Sequence, residues 1–245
     1  MRRHFNERVK PFAERTKFEL EVPLDAKLWF VSDTHFGHRK LTTGAPDHFE
    51  RTRPYKTTDE MDSAQMGEWM RVISPGDIVM FLGDFQFGQF NGEGEEAAWK
   101  LWQELPGHKF FVRGNHDQKI KGDLLVVRDY AVVKYRGLTY LCQHFPFTSE
   151  FAYDKPDMTN LLALRGTLDP KSTVLVHGHT HSSDMFSKTR LKDFTLQNNV
   201  SWDVLMGPVP AERLYTADHI YHGKCVGHPV VERGQNAAAD MCQQA

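Results

Sequence analysis

Short apolar runs alternate with polar, glycine-bearing stretches along most of the chain, and this alternation predicts its elements. Leu28-Trp29-Phe30-Val31-Ser32, Ile78-Val79-Met80-Phe81-Leu82, Lys109-Phe110-Phe111-Val112 and Thr173-Val174-Leu175-Val176 are too short for buried helices and read as buried strands. Residues 131–135 and 138–142 are two more strand runs, with Arg136-Gly137 between them as a two-residue hairpin turn. Residues 194–200 supply a further strand. Thr57 followed three residues later by Glu60 has the form of a capping box. The helix behind it runs to about Ile73, buries Met61, Trp69, Met70 and Ile73, and stops at Pro75-Gly76-Asp77. Residues 95–105 place Ala98, Leu101, Trp102 and Leu105 on one helical face, and Pro106-Gly107 ends that helix. Residues 157–165 also read as helical. The polar stretch 39–57, with Gly44, Pro46 and Pro54, is a long loop.

Residues 1–27 mix charges of both signs with weak periodicity, so we expect an N-terminal extension, a helix or an arm. The elements fill 28–215. Residues 216–245 form a C-terminal extension whose Gln- and Ala-rich end frays. Strands interleaved with helices and no internal repeat predict one α/β domain.

Composition narrows the function classes. The 245 residues are 40% apolar and 25% charged, enough to bury one sizeable core. A net charge of -2 removes bulk positive charge as a route to nucleic-acid binding. No apolar run approaches the roughly 20 residues of a spanning helix. The basic start, Met1 to Phe5, is followed by no apolar stretch, so no secretory signal is expected. Three widely spaced cysteines, Cys142, Cys225 and Cys242, suit neither a disulfide framework nor a cysteine zinc site. They point to a reducing compartment, the cytoplasm.

The polar motifs follow the apolar runs. After 28–32 comes Asp33-Thr34-His35-Phe36-Gly37-His38, and after 78–82 comes Gly83-Asp84. After 109–112 comes Arg113-Gly114-Asn115-His116-Asp117, after 138–142 Gln143-His144, and after 173–176 His177-Gly178-His179-Thr180-His181. Five strands delivering Asp, His and Asn at their C-terminal ends place those groups on one rim, where open α/β sheets build their sites. Carboxylate, imidazole and amide oxygen without thiolate suit Mn, Fe or Zn. If strand geometry continues, Asp33 and His35 share a face, as do His179 and His181, and each pair can hold one ion. A short carboxylate such as Asp84 suits a bridge. Two ions sharing a hydroxide clamp both ends of an in-line displacement at phosphorus.

These ordered blocks resemble those of the calcineurin-like metallophosphoesterases: DxH, GD, GNH, a lone H and GHxH. The spelling SDTHFGH at 32–38, GDFQFG at 83–88, RGNHD at 113–117, HFP at 144–146 and NVSWD at 199–203 is similar to a prokaryotic and phage branch of small phosphoesterases. The resemblance implies a four-layer α/β/β/α sandwich of two mixed sheets. It implies that Asp33, His35 and His181 hold one divalent ion, that Asn115, His144 and His179 hold a second, and that Asp84 bridges. It makes Mn the first candidate metal, with Fe, Zn or Ni as alternatives. His116 then protonates the leaving oxygen and Asp117 orients or charges it. His38, Arg39 and Arg113 are candidate substrate contacts. The implied activity is hydrolysis of phosphate esters, diesters or nucleotide-type molecules, by attack of a metal-bridging hydroxide. The alternatives are a nuclease of the same fold and a non-catalytic metal-bound interaction module. The chain departs from the pattern in two places. Phe87 stands where many members carry a second Asp, with no Arg after Asp84. Lys40 stands where related chains carry Asn. Phe85 and Phe87 are read as an apolar wall or as core packing. His177 is read as a neighbour of the metals or as packed, Cys142 as packed, and His108 as a loop residue.

Overall fold

The structure, a computed structural model, describes residues 17–50, 52–87, 95–117, 127–128, 130–147, 168–189 and 196–216. Its strands are β1 (Lys17–Glu21), β2 (Leu28–Val31), β3 (Ile78–Phe81), β4 (His108–Val112), β5 (Val127–Arg128), β6 (Tyr130–Tyr135), β7 (Leu138–Gln143), β8 (Thr173–His177), β9 (Phe186–Lys188), β10 (Leu196–Asn199) and β11 (Val209–Pro210). The helices are α1 (Thr58–Val72), α2 (Glu95–Glu104) and the short α3 (Trp202–Leu205). One sheet has the order β1-β6-β7-β8-β10-β9 and the other β11-β2-β3-β4-β5. Both are mixed. β2, β3, β4 and β5 run parallel with β11 antiparallel, while β7, β8 and β10 run parallel between antiparallel partners β6 and β9.

The two sheets bury one face of each against the other. Phe30, Met80 and Val112 from one meet Ala131, Val133, Cys142, Val174 and Val176 from the other. Val31, Val79, Phe81 and Phe111 point outward and are covered by Trp69 and Ile73 from the α1 end and by Ala98, Leu101 and Trp102 of α2. Both faces of this sheet are therefore dry, which is why β2 and β3 read as unbroken apolar runs rather than alternating ones. Phe81 stacks on Phe111 at 5.2 Å and meets Trp102 edge-on at 5.4 Å. Fully burying such a side chain stabilises by about 1.5–3 kcal/mol. Tyr130, Val132, Leu141, Phe147 and Leu175 form the outer face of the other sheet. The helix expected at 157–165 lies outside the described residues.

Several local expectations are met, and a few are corrected. Thr57 caps α1 by accepting the Glu60 amide at 3.2 Å, and Glu60 reaches back to the Lys56 amide at 2.8 Å. Arg136 and Gly137 both take positive φ, 49° and 78°, the conformation a two-residue hairpin turn requires. Met70 is 53% exposed, not buried. It lies nine residues from Met61, half a turn out of phase, and that inner face instead buries Asp62 and Gln65. Residues 17–21 of the expected N-terminal extension form an edge strand parallel to β6, with Leu20 against the inter-sheet core. Among the described residues no helix is long and apolar enough to cross a membrane.

Candidate metal centre

The C-terminal ends of β2, β3, β4, β7 and β8 meet at one rim. Backbone bonds lace their loops together: Asp33 N–H to Gly83 O at 2.9 Å, His35 N–H to Asp84 O at 3.1 Å, and Gly178 N–H to His144 O at 2.9 Å. The packing is close enough to demand glycine. A Cβ on Gly114 would stand 2.1 Å from Asp84 Oδ1, and one on Gly178 would stand 2.1 Å from Ser32 Oγ and 2.5 Å from Asp33 Oδ2.

The strands do not continue through the motifs, which corrects the expectation of shared strand faces. Asp33, His35, Asp84, His179 and His181 all take left-handed backbone, with φ of 57°, 50°, 58°, 72° and 50°. Each such residue costs of order 1–3 kcal/mol and persists because the surroundings hold it. The outcome also differs from one ion per alternating pair, because His179 and His181 are dealt to different groups.

Among the described residues, Asp33, His35 and His181 offer ligand atoms to one possible ion, and Asp84, His144 and His179 to another; within each group the atoms lie within 4.8 Å of one another. Asp33 shows the division of labour. Its Oδ2 accepts from Ser32 Oγ at 2.5 Å, the His179 amide at 2.8 Å and Ser201 Oγ at 3.1 Å. Its buried Oδ1 has no hydrogen-bond partner and stands 3.7 Å from both His35 Nε2 and His181 Nε2, which are 3.0 Å apart. In the second group His144 donates from Nδ1 to the Leu82 carbonyl at 2.7 Å. Its Nε2 is thereby left to face Asn115 Oδ1 at 2.9 Å, His179 Nδ1 at 3.2 Å and Asp84 Oδ2 at 3.4 Å. That same Asp84 oxygen is 3.5 Å from His35 Nε2, so it stands between the groups. Two donors about 2.1 Å from one ion, at angles of 90–120°, lie about 3.0–3.6 Å apart. An orphaned carboxylate oxygen and lone pairs converging at these separations fit divalent cations.

The electrostatics fit as well. Burial opposes charge on Asp33 and Asp84, yet the neighbouring imidazoles hold both carboxyls well below the usual range. Burial also opposes charge on His144, but Asp84 pulls its pKa up to about 10. The site attracts positive charge to where the donors meet. Burial pushes His179 down to about 4 and lowers His35, keeping both rings neutral.

His116 is 37% exposed at the rim, with Nε2 3.9 Å from Asp84 Oδ2 and its amide bonded to Asp84 Oδ1 at 2.9 Å. Asp117 does not orient its ring. The Asp117 carboxylate is buried and accepts the amides of Asp84 at 2.6 Å, Gly114 at 2.7 Å and Phe85 at 3.2 Å, so it ties two motif loops together. Phe85 is core, while Phe87 is 39% exposed and packs on His38 at 4.1 Å and edge-on to His116 at 4.6 Å. His38 is thus a wall of the site, and burial pushes its pKa down to about 3. Arg39 and Lys40 turn to Asp47, at 2.8 and 3.2 Å. Arg113 is exposed. His177 is buried behind the rim with its Nδ1 on Gly178 O at 2.8 Å, outside both ligand groups. Cys142 is buried in the inter-sheet core, and its thiol is pushed up by that burial. His219, His222, His228 and Cys225 lie outside the described residues.

Two residues escaped the sequence reading. Asp203 accepts from His181 Nδ1 at 3.0 Å, and the buried Arg53 grips Asp203 with two nitrogens at 2.9 and 3.0 Å. Asp203 closes the NVSWD stretch and was visible as a motif letter. Arg53 sits in a polar loop, where nothing marks a buried arginine.

Comparison with known proteins bears on family and fold. A family model described as calcineurin-like phosphoesterase matches residues 26–236. An uncharacterised protein of Methanocaldococcus jannaschii, MJ1445, is 26% identical over 179 residues, covering 73% of this chain and 83% of its own. The Gene 66 protein of Mycobacterium phage L5 is 28% identical over 180 residues, covering 65% of this chain and 80% of its own. The crystal structure of AQ665, a protein of unknown function from Aquifex aeolicus, superposes with a TM-score of 0.52 at 22% identity, covering 77% of this chain and 97% of that one.

Proposed function

Because the chain belongs to the calcineurin-like phosphoesterase family, we propose that it is a dinuclear metal-dependent phosphoesterase acting on phosphodiesters or nucleotide-type esters. The observation that carries the dinuclear reading is Asp84 Oδ2, 3.5 Å from His35 in one ligand group and 3.4 Å from His144 in the other. Asp33, His35 and His181 hold one ion. Asn115, His144 and His179 hold the other. The donor set has no thiolate and suits Mn first, with Fe, Zn or Ni as alternatives. Bound there, the ions supply an activated water and offset charge at the phosphoryl oxygens.

The remaining work falls to the chain. Asp84 keeps one oxygen on the His116 amide, and its other oxygen would be available to ligate. His116, partly exposed beside them, gives its proton to the leaving oxygen. Phe87 and His38 shield one flank from water. Arg39 and Lys40 are engaged by Asp47, and Arg53 faces inward. This supports a monoanionic diester over a dianionic monoester, which usually recruits an arginine clamp, with the exposed Arg113 as the side chain that would serve as one. Few cysteines support a cytoplasmic setting.

The test is metal content at saturation together with hydrolysis of bis-nitrophenyl phosphate and nitrophenyl phosphate. Two ions per chain, activity abolished by a chelator and restored by Mn, and a higher kcat/KM for the diester are expected. A single bound ion refutes the dinuclear site, and a clear monoester preference refutes the diester reading.

A further inference from the structure

Arg53 is 1% exposed, yet it carries a full guanidinium within the protein. Burying such a charge is costly unless it is paired and its donors are used. Here they are used, and all on one side of the centre. Nε and Nη2 grip the Asp203 carboxylate at 2.9 and 3.0 Å, the planar fork that only arginine offers. Nη1 donates to the Thr34 carbonyl at 2.6 Å and Nη2 to the Asp33 carbonyl at 2.5 Å. These carbonyls belong to the left-handed turn that sets Asp33 and His35. Asp203 in turn accepts from His181 Nδ1 at 3.0 Å, which turns Nε2 toward the ligand group, 3.0 Å from His35 Nε2. One side chain thus touches the supports of Asp33, His35 and His181. The other group rests mainly on different supports, Leu82 O behind His144 and Asp117 behind Asp84 and Gly114, and meets this side through the His179 amide on Asp33 Oδ2 at 2.8 Å.

We propose that Arg53 is a positioning residue for one of the two metal sites only, fixing the turn of Asp33 and His35 and, through Asp203, the ring of His181. The inference rests on the dinuclear reading above. Outer partners of metal ligands are typically worth about 10–100-fold in affinity.

The experiment compares the wild type with Arg53→Met and Arg53→Lys on the full chain. Stepwise Mn binding should show one step weakened about 10–100-fold and the other within a few-fold. In the metal-free chain, at a pH high enough that the ring has lost its second proton, ring nitrogen chemical shifts should give His181 as a single Nδ1–H tautomer in the wild type and a mixture in Arg53→Met. Arg53→Lys keeps the buried charge, and so the fold, but not the fork, and should show the same one-sided loss. Equal weakening of both steps in the folded lysine variant, or an unchanged tautomer with two unchanged steps, overturns the proposal. A wild type that binds only one ion refutes the dinuclear reading instead, and the tautomer comparison then decides the role of Arg53.

Discussion

Replacing Gly114 by Ala should dismantle the metal centre while leaving the fold in place. Gly114 needs no unusual backbone angle, so the effect is steric alone. The added Cβ would sit 2.1 Å from Asp84 Oδ1, 2.8 Å from its carboxyl carbon and 2.6 Å from its amide nitrogen. A real Cβ does not come closer than 3.0 Å, so the carboxylate must retreat by roughly 0.9 Å or the two loops must part. The amide nitrogen is main chain held by Asp117 and cannot swing away. Overpacking of this kind costs about 1–3 kcal/mol, which a domain with about 5–15 kcal/mol in hand survives. A displacement near 1 Å at a reacting centre costs about 10²-fold in rate. Because Asp84 stands between both ligand groups, uptake of both ions should weaken. Gly76→Ala is the control, since its Cβ would meet nothing within 4 Å. The assay is urea unfolding, Mn titration and diester hydrolysis on the three proteins. If Gly114→Ala binds two ions at wild-type affinity and keeps its rate within about threefold, Asp84 is not where the function lies.

His116→Ala should slow esters with alkyl or ribosyl leaving groups much more than nitrophenyl esters, because a general acid matters in proportion to the basicity of the leaving oxygen. Metal content should stay near normal, and equal slowing of both ester types would remove the proton-donor role. A pH effect on stability should come from Asp62 of α1, which accepts the Gly37 amide at 3.0 and 3.1 Å while burial pushes its pKa up to about 7. A carboxyl raised in the folded state keeps a proton that the unfolded chain has lost, so the wild type should lose up to about 4 kcal/mol as pH rises from 4 to 7. Asp62→Asn lacks that proton. Its stability relative to wild type, from urea unfolding in chelator, should therefore improve between pH 5 and pH 8; a flat difference would refute the argument.

What the sequence made legible follows from how each element is buried. β2, β3 and β8 are covered on both faces or nearly so, and such strands print themselves as unbroken apolar runs. α2 is covered on one face, and its spacing predicted Ala98, Leu101, Trp102 and Leu105 as the buried ones. β1 was missed because its charged alternate positions, Lys17, Glu19 and Glu21, drown two apolar residues in a polar stretch. β9, β11 and α3 are two to four residues long, too short to show a period. Met70 was misplaced for a different reason. Hydrophobicity alone put it inside, while its phase against Met61 puts it out, and the inner face was given to Asp62 and Gln65.

The site divides in the same way, between residue identity and backbone. The order and chemistry of the blocks bring the right side-chain types to one rim, and the parallel order β2-β3-β4 beside β7-β8 is enough to explain that meeting. Strand logic would then pair His179 with His181 and Asp33 with His35. The left-handed turns at those four positions break that logic; Asp33 and His35 still fall in one group, but His179 and His181 do not. Local rules fail where the surroundings over-determine an unfavourable backbone, and such places are commonly functional. The cost of those turns is met by residues far away in sequence. Asp62 receives Gly37 from 25 residues away, and Asp117 receives Asp84 from 33. Arg53 and Asp203, 150 residues apart, close the network behind His181. A residue of that kind has no local signature. Its burial becomes visible only when both ends of the chain are in place, which is why Asp117 and Asp203 stood out as motif letters without their supporting role and Arg53 did not stand out at all.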